Sequence, residues 1–402
     1  MNNQLIVISL LDGKGPTGVE SHFNQLIEEA RASGIDGVLV SAYPSRRLWA
    51  KLARLLIRPL RLIDRERAEV LSLWINSAVI AAKLAALLAP GDGRRGAVTL
   101  YAQDPVSARI ALNANRGRSC RVVTVIHYNV SQAEELHMKG EARTDGPLWR
   151  FVVRAEKEAL PRVDHLIFVS KFMQDQVRAR MPSIGRVAQS VIPNFAARAP
   201  MSPAPGADSP PLTGDLIAIG TLEARKNQAF LLHVLARAKA RGHLYTLTLV
   251  GDGPDRAMLV ALAAQLGLRE QVTFAGFQQK AARLIPRHRI LVHAALMESQ
   301  GIILIEALAT GRPILAPAVG GIPEVFSHGV EGYFWPLDDI DAATGLLIAA
   351  LTDTDTYRRL SQAALARYQE KFHIDLLAGQ WLAAIMQPRR DAVRASPAEA
   401  VQ

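Results

Sequence analysis

"ESQGIILIEALATGRPILAPAVGGIPEV" runs from Glu298 to Val325. An apolar run, Ile290–His293, stands just ahead of it. After Gly301 the residues Ile302–Ala309 have helix-forming composition, and a second apolar run, Pro313–Pro317, follows Gly311. Strand, loop, helix and strand in this order make a parallel crossover unit. Both runs are continuously apolar rather than alternating, which predicts strands buried on both faces of a parallel sheet.

The pattern repeats along the chain. Leu5–Leu10, Gly37–Ser41, Val98–Tyr101, Val122–His127 and Leu166–Ser170 read as strands of a first unit. Leu216–Gly220, Thr246–Gly251, Val272–Phe274, Ile290–His293 and Pro313–Pro317 read as strands of a second. Helical stretches such as Gly18–Ser33, Asn227–Arg241 and Asp255–Leu266 alternate with them. "AARAPMSPAPGADSPPLTG", Ala196–Gly214, lacks periodicity and reads as a linker. The fold class is therefore α/β, with two doubly wound, Rossmann-like domains facing across a cleft. Residues 1–195 form the first and 215–372 the second. A C-terminal helix within 373–390 is expected to pack back on the first domain, and 391–402 form a polar tail. Ligands of such sheets collect beyond the C-terminal strand ends, so candidate chemistry is sought there.

Glu298 lies between a strand and a helix, and Glu306 lies two turns into that helix. The amides around Gly301 are unpaired donors at a helix start, and a glycine there lets anionic oxygens approach closely. Ser299, Gln300, Gly301 and Ile302 then make a cradle for a diphosphate. Glu298 can accept from sugar hydroxyls on one side and Glu306 from ribose hydroxyls on the other, the order of groups in a nucleotide-sugar. A glycosidase acid/base pair would instead flank a single bond. The alternative reading of the two acids is a solvated helix face.

Bulk properties narrow the class. Of 402 residues, 49% are apolar and 21% charged, the composition of a globular chain with room for two cores. Cys120 is the single cysteine, so neither an intramolecular disulfide nor a cysteine-rich metal site can form. "MNNQLIVISLLDG" lacks the basic start and cleavage pattern of a secretory signal and reads as a first strand. The apolar segment Ala78–Pro90 is interrupted by Lys83 and is expected to be too short to cross a bilayer. These readings point to the cytoplasm. A net charge of +10 suits nucleic acid, an anionic membrane or an anionic small substrate. No aromatic–basic interleaving, helix-turn-helix or zinc-finger spacing supports nucleic acid.

The basic residues concentrate between Arg46 and Arg67. In "SRRLWAKLARLLIRP", Leu48, Leu52 and Leu55 can share a helix face beside a stripe of Arg47, Lys51, Arg54 and Arg58, and Pro59 is expected to end or kink the helix. Such a helix can lie on an anionic membrane surface. It can equally pack on a core with its basic face in water.

Three further motifs follow strands. Gly13-Lys14-Gly15-Pro16-Thr17-Gly18 is a literal G-x-G-x-x-G. A dinucleotide site needs an acid at the end of the second strand. Here that strand ends in Ser41-Ala42-Tyr43, and Asp36 lies at its other end. The loop is read instead as amides facing an anionic ligand, or as a plain strand–helix turn. His127 ends a strand, where it can serve a ligand oxygen or a peptide carbonyl. Arg225 and Lys226 follow a strand end just before a helix start, where phosphate charge is favoured.

The opening stretch resembles the E-x7-E signature of the retaining glycosyltransferases of family 4 (GT4, glycosyltransferase group 1), which have the GT-B fold. "TGVESHF", "VIHYN", "VDHLIFVSKF", "VIPNF", "GTLEARKN", "LVGDGP" and "VTFAGF" fall in the order of that family, so the resemblance covers most of the chain. It implies that Lys226, helped by Arg225, neutralises the donor diphosphate. Glu298 would bind the transferred sugar, Glu306 the ribose, His127 would sit near the reaction centre, Gly15 and Gly18 near the diphosphate, and the backbone around Phe277 near the base. Two positions depart from the family pattern. Thr221 stands where arginine is common, and Gln300 where an aromatic is frequent.

The resemblance implies retaining transfer of a hexose from a UDP- or GDP-linked donor, by front-face attack with the donor phosphate taking the acceptor proton. Domain closure would complete the site. No metal and no cofactor would be required. The acceptor would be a glycan or lipid-linked glycan of cell-surface polysaccharide or lipopolysaccharide synthesis, with the enzyme peripheral on the inner face of the cytoplasmic membrane. A non-catalytic nucleotide-sugar-binding protein and an NAD-dependent enzyme are the alternatives.

Overall fold

The computed structural model describes residues 3–13, 15, 18–43, 48–89, 96–196 and 211–387, with backbone alone at 48–54 and 56. Arg47, the side chains of Lys51 and Arg54, most of the expected linker and the C-terminal tail lie outside the described residues. The chain divides into two compact units. One holds residues 1–169, 174–192 and 378–402, the other 170–173 and 193–377. The boundary falls at Pro193 rather than Ala196.

The first unit is built on six parallel strands: β1 (Gln4–Ile8), β2 (Asp36–Val40), β3 (Val98–Ala102), β4 (Arg121–Ile126), β5 (His165–Phe168) and β6 (Ala188–Val191), in the order β2-β1-β3-β4-β5-β6. Every residue of β4 and β5 is buried, as central parallel strands require, including the polar Arg121, Thr124 and His165. β6 was not foreseen. Its sequence AQSV has no apolar run, because an edge strand is only half covered. The helices of this part of the chain are α1 (Gly18–Ala32), α2 (Leu48–Ile63), α3 (Arg65–Leu87), α4 (Pro105–Ala114), α5 (Gln132–Met138), α6 (Pro147–Ala159) and α7 (Lys171–Arg180).

In the basic region, the expected helix end at Pro59 and the shortness of the apolar segment are corrected. Pro59 lies inside α2, which continues to Ile63. The apolar segment near Ala78 is the second half of α3, a helix of 23 residues that is long and apolar enough to cross a membrane. Only 28% of its most apolar window is buried. Asp64 separates α2 from α3 and caps the latter, accepting from the Arg67 amide at 3.0 Å.

The second unit has strands β7 (Gly214–Ile219), β8 (Leu247–Val250), β9 (Val272–Gly276), β10 (His288–Val292), β11 (Ile314–Ala316) and β12 (Gly332–Phe334). They are parallel, in the order β12-β11-β10-β7-β8-β9. Numbered within the unit this is 3-2-1-4-5-6, the doubly wound Rossmann order. β12, only three residues long, was also not foreseen. The helices are α8 (Gln228–Ala240), α9 (Arg256–Gln265), α10 (Ile302–Ala309), α11 (Ile322–Val325), α12 (Ile340–Thr352) and α13 (Thr354–Arg367), and α14 (Ile374–Met386) ends the described chain. From Ala378 onward α14 belongs to the first unit. Its Trp381 is fully buried there, its ring 4.6 Å from that of His22, and Arg121 donates to the carbonyls of Ala384 and Ile385.

Candidate active site

In the second unit the strand order reverses between β7 and β10, which are neighbours in the sheet. The loops that follow these two strands carry the charged groups. After β7, a short turn Ala224–Lys226 leads to Asn227, held in the left-handed region at φ 51°, where α8 begins. After β10 come His293 and the loop to Gly301. Lys226 Nζ donates to Glu298 Oε2 at 2.6 Å, and His293 Nε2 lies 3.4 Å from the same oxygen. Both ion-paired side chains are largely buried. Burial alone would raise the Glu298 pKa, but the Lys226 charge and His293 outweigh it and hold the carboxyl well below its usual range. Burial lowers the pKa of His293 despite its carboxylate neighbour, so the imidazole is neutral near pH 7.

The glycines of the opening stretch explain how that loop is held. Gly301 sits at φ 80°, a conformation that costs a side-chain-bearing residue, and is the N-cap of α10. No side chain caps this end, which leaves first-turn amides for a ligand. A Cβ at Gly320 would collide with the Glu298 carbonyl, and one at Gly321 with that of Ser299. The Gly321 amide donates to the Glu298 carbonyl at 3.0 Å. The glycine pair therefore lets a second loop lie flat beneath the glutamate. Ser170 Oγ donates to the Ser299 carbonyl at 2.8 Å, and Glu324 accepts from the Lys171 and Phe172 amides, each at 2.7 Å. These bonds tie residues 170–173 to the second unit.

Glu306 is half-buried on α10, and burial pushes its carboxyl up to about 7. No partner for this carboxylate occurs among the described residues. Phe277 stands just beyond β9, with 55% of its surface exposed.

Two residues expected to contact the donor have partners within the protein. The Arg225 guanidinium lies against its own loop, donating to Glu223 at 2.8 Å and more weakly to the Met297 carbonyl at 3.4 Å. Gln300 is buried, and its Oε1 accepts from both the Asn194 amide at 2.8 Å and Asn194 Nδ2 at 2.9 Å. Its side chain braces the loop from inside. Sequence reasoning missed Asn194 as this partner and His293 as a partner of Glu298. His293 was recognisable as a strand-end histidine, whereas the Asn194–Gln300 link spans 106 positions and has no local signature.

In the first unit the loop after β1 is arranged differently from expectation. The amides of Gly13 and Gly15 both donate to Glu20 Oε1 at 3.0 Å. The expected anion-facing amides are thus occupied by the chain's own carboxylate. Gly18 opens α1, while Lys14, Pro16 and Thr17 lie outside the described residues. His127 follows β4, and burial lowers its pKa to about 4, so it is neutral at pH 7. Its Nε2 is buried with no hydrogen-bond partner among the described residues. Its ring lies 5.9 Å from that of His22. The loop that carries it is pinned by Arg180, which donates to the Val130 carbonyl at 3.0 Å, and by Glu156, which accepts from the Gln132 amide at 2.8 Å. Arg180 and Glu156 are themselves paired at 2.7 Å. Among the described residues, no group of three His, Cys, Asp or Glu side chains forms a metal site.

Two family models match successive parts of this chain. The glycosyl transferase 4-like domain covers residues 17–194, and the glycosyl transferases group 1 model covers residues 211–367, which holds Lys226, Glu298 and Glu306. The chain belongs to the group 1 glycosyltransferases. It is 33% identical over 135 residues to N-acetyl-alpha-D-glucosaminyl L-malate synthase of Bacillus anthracis, spanning 34% of this chain and 35% of that protein. It is 25% identical over 243 residues to alpha-D-kanosaminyltransferase of Streptomyces kanamyceticus, 58% of this chain and 62% of the relative. The matched parts thus span from about a third to just under two thirds of these relatives' lengths. Sucrose-phosphate synthase of Thermosynechococcus elongatus aligns over 98% of this chain and 100% of its own, with TM-score 0.70 and 18% identity. Anabaena HepE, solved with UDP and glucose, aligns over 95% and 99%, with TM-score 0.67 and 16% identity. The fold of this glycosyltransferase is GT-B, with two Rossmann-like domains.

Proposed function

We propose that the chain transfers a hexose from a nucleotide-diphosphate sugar, UDP- or GDP-linked, to a glycan or lipid-linked glycan, with retention at the anomeric carbon. The observation that carries this reading is the Lys226–Glu298–His293 cluster beside the uncapped start of α10. It offers one mobile cation and a set of backbone donors to a diphosphate, and one carboxylate to a sugar. A diphosphate arriving at the amides competes with Glu298 for Lys226. The freed carboxylate then accepts from hexose hydroxyls. As the glycosidic bond breaks, negative charge grows on the leaving diphosphate, and Lys226 with the α10 amides stabilises it electrostatically. Glu306 accepts from the ribose hydroxyls. Neutral His127 offers Nε2 to the sugar at the reaction centre. The departing phosphate takes the acceptor proton, so the reaction requires no added base, cofactor or metal.

The UDP- and glucose-bound HepE structure and the GDP-mannose-dependent phosphatidylinositol monomannoside mannosyltransferase of Mycolicibacterium smegmatis, 29% identical over 197 residues, support the two donor classes. Similarity to the lipopolysaccharide outer core galactosyltransferase WaaB, at TM-score 0.63, is in keeping with a role in cell-surface glycan synthesis. Such an enzyme would work at the cytoplasmic face of the membrane.

Calorimetry with UDP, GDP, ADP and their sugar conjugates tests the donor site. One nucleotide should bind tightly, and less so to Lys226→Ala and Glu306→Ala. Turnover in chelator followed by NMR of the product anomer tests retention and metal independence. Tight nucleotide-sugar binding without transfer to any glycan acceptor would favour a non-catalytic binding protein, and nicotinamide absorbance retained on the purified protein would reopen the NAD reading.

A further inference from the structure

The most exposed large apolar side chains among the described residues belong to one hairpin of the first unit. Leu62 and Ile63, at the turn between α2 and α3, are 90% and 84% exposed. Leu55 on α2 is 60% exposed. The spacing Leu55, Arg58, Leu62 is i, i+3, i+7, which puts all three on one helix face. The hairpin does not need these residues to hold together. Ile57 of α2 packs with Ala68, Ile75 and Val79 of α3, supported by Leu60 and Leu71.

Charge around this tip is unbalanced. Asp64 caps α3 and pairs with Arg67 at 3.3 Å, Glu66 accepts from Arg143 at 2.7 Å, and Glu69 pairs with Arg61 at 2.8 Å. The nearby acids of the hairpin are therefore engaged. Arg58 and Arg65 are exposed and have no acidic partner among the described residues. Ile63 and Arg65 also border a cleft of about 540 Å3, which Arg143 helps to line.

We propose that the α2–α3 tip docks on an anionic lipid surface, with Leu62 and Ile63 entering the acyl edge and Arg58 and Arg65 meeting lipid phosphates. Aliphatic side chains ringed by arginines are the chemistry of interfacial anchoring, where apolar insertion and headgroup attraction add. This places the anchor at the hairpin tip rather than along the stripe from Arg47 to Arg58. It is independent of the sugar-transfer reading, because lipid docking needs no nucleotide.

The test is co-sedimentation of the full chain with vesicles of phosphatidylcholine alone and of phosphatidylcholine with phosphatidylglycerol, at low and high salt. Binding is expected only to the anionic vesicles, and weaker in high salt. Leu62→Ser with Ile63→Ser should weaken it by at least about tenfold, from the apolar area withdrawn from lipid. Arg58→Gln with Arg65→Gln should weaken it by roughly tenfold or more, at about fivefold per arginine. Leu244→Ser, which changes a 71%-exposed leucine of the second unit, should leave it unchanged. Unaltered nucleotide binding and circular dichroism would show that the tip variants fold. Because Cys120 is buried and is the only cysteine, an environment-sensitive dye can be placed at Leu62→Cys, and its emission should shift to the blue on anionic vesicles. The proposal is overturned if native protein ignores both vesicle types, if the tip variants sediment like native protein, or if the dye stays water-exposed on bound protein. It is equally overturned if the tip proves to join two copies of the chain, seen as a dimer that Leu62→Ser with Ile63→Ser makes monomeric.

Discussion

The two units share an architecture and differ in chemistry. Each is a six-stranded parallel sheet with a reversal of strand order, 2-1-3-4-5-6 in the first and 3-2-1-4-5-6 in the second. Beyond the strand ends of the second unit lies a buried ion pair, Lys226–Glu298, with His293 against it. In the first unit the corresponding region gathers neutral rings, His127, His22 and Trp381, and its glycine loop is folded onto Glu20. Both histidines have lowered pKa values because burial disfavours the imidazolium. A doubly wound sheet thus delivers loops to one edge, and the residues on those loops decide whether that edge holds fixed charge or neutral hydrogen-bonding groups. In the proposed reaction, fixed charge suits a leaving diphosphate. Neutral groups suit a reaction centre whose positive charge appears only transiently.

The sharpest way to break this comparison is to remove the charge. Lys226→Ala leaves Glu298 buried and unpaired, which should cost about 3–5 kcal/mol of stability. It should also lower turnover by about 10²–10³-fold, the effect of losing one electrostatic stabiliser. Thermal melts and kinetics would check both. Glu298→Gln removes the orphaned charge, so the double variant should recover stability but not turnover. Turnover that survives Lys226→Ala would remove the electrostatic role.

His127→Ala tests the neutral side. Turnover should fall by about 10²-fold, the low end for loss of a positioned polar group, while calorimetric affinity for the nucleotide stays unchanged. Lys226→Ala should weaken both, and that split distinguishes the two units.

A third test uses pH. Glu306 titrates near 7 in the folded protein, above the ordinary carboxyl value, because burial disfavours its charge. Its contribution to stability is therefore fully present below the unfolded pKa and is lost as pH rises through about 7. Ribose hydroxyls that donate to the ionised form would lower this pKa. Nucleotide binding should then release a proton near pH 7 and tighten as pH rises from 6 to 8, by up to about tenfold per proton and pH unit. Calorimetry in buffers of different ionisation enthalpy would measure the release, and Glu306→Gln should abolish it.

How far the sequence disclosed this molecule follows from how local each feature is. The crossover units were legible because buried parallel strands must be continuously apolar, and α10 begins and ends at the expected Ile302 and Ala309. β6 and β12 were not, because a short edge strand has neither length nor a covered face to impose a pattern. α3 was underestimated because Lys83 interrupts the apolar count, although a helix carries one lysine without ending, and Lys83 Nζ donates to the Ser41 carbonyl at 2.8 Å. At the site, Lys226 and Glu298 could be singled out individually but not as a pair, since 72 residues separate them. The partners of Arg225 and Gln300 within the protein were missed for one reason. A polar residue beside a site is legible as a ligand contact, while the partner that occupies it, Glu223 or Asn194, becomes evident only once the loops are in place.

The smallest expected effect concerns that bracing. Gln300 Oε1 accepts two bonds from Asn194, both buried, so Asn194→Ala removes the side-chain donor while the backbone amide remains bonded. The loss should be about 1 kcal/mol, the net worth of one intramolecular hydrogen bond. Gln300→Ala strips the acceptor from both donors and opens a cavity, and should cost about 2–3 kcal/mol, because unsatisfied buried donors carry the desolvation penalty. If Gln300 only braces the loop, its loss should raise the KM for the donor through misplaced Ser299–Ile302 amides and leave hexose selectivity unchanged. A changed preference between donor hexoses in Gln300→Ala, with the melt hardly altered, would instead make Gln300 a sugar contact. The charged edge would then include a neutral member that reads the sugar, the role proposed for His127 in the first unit.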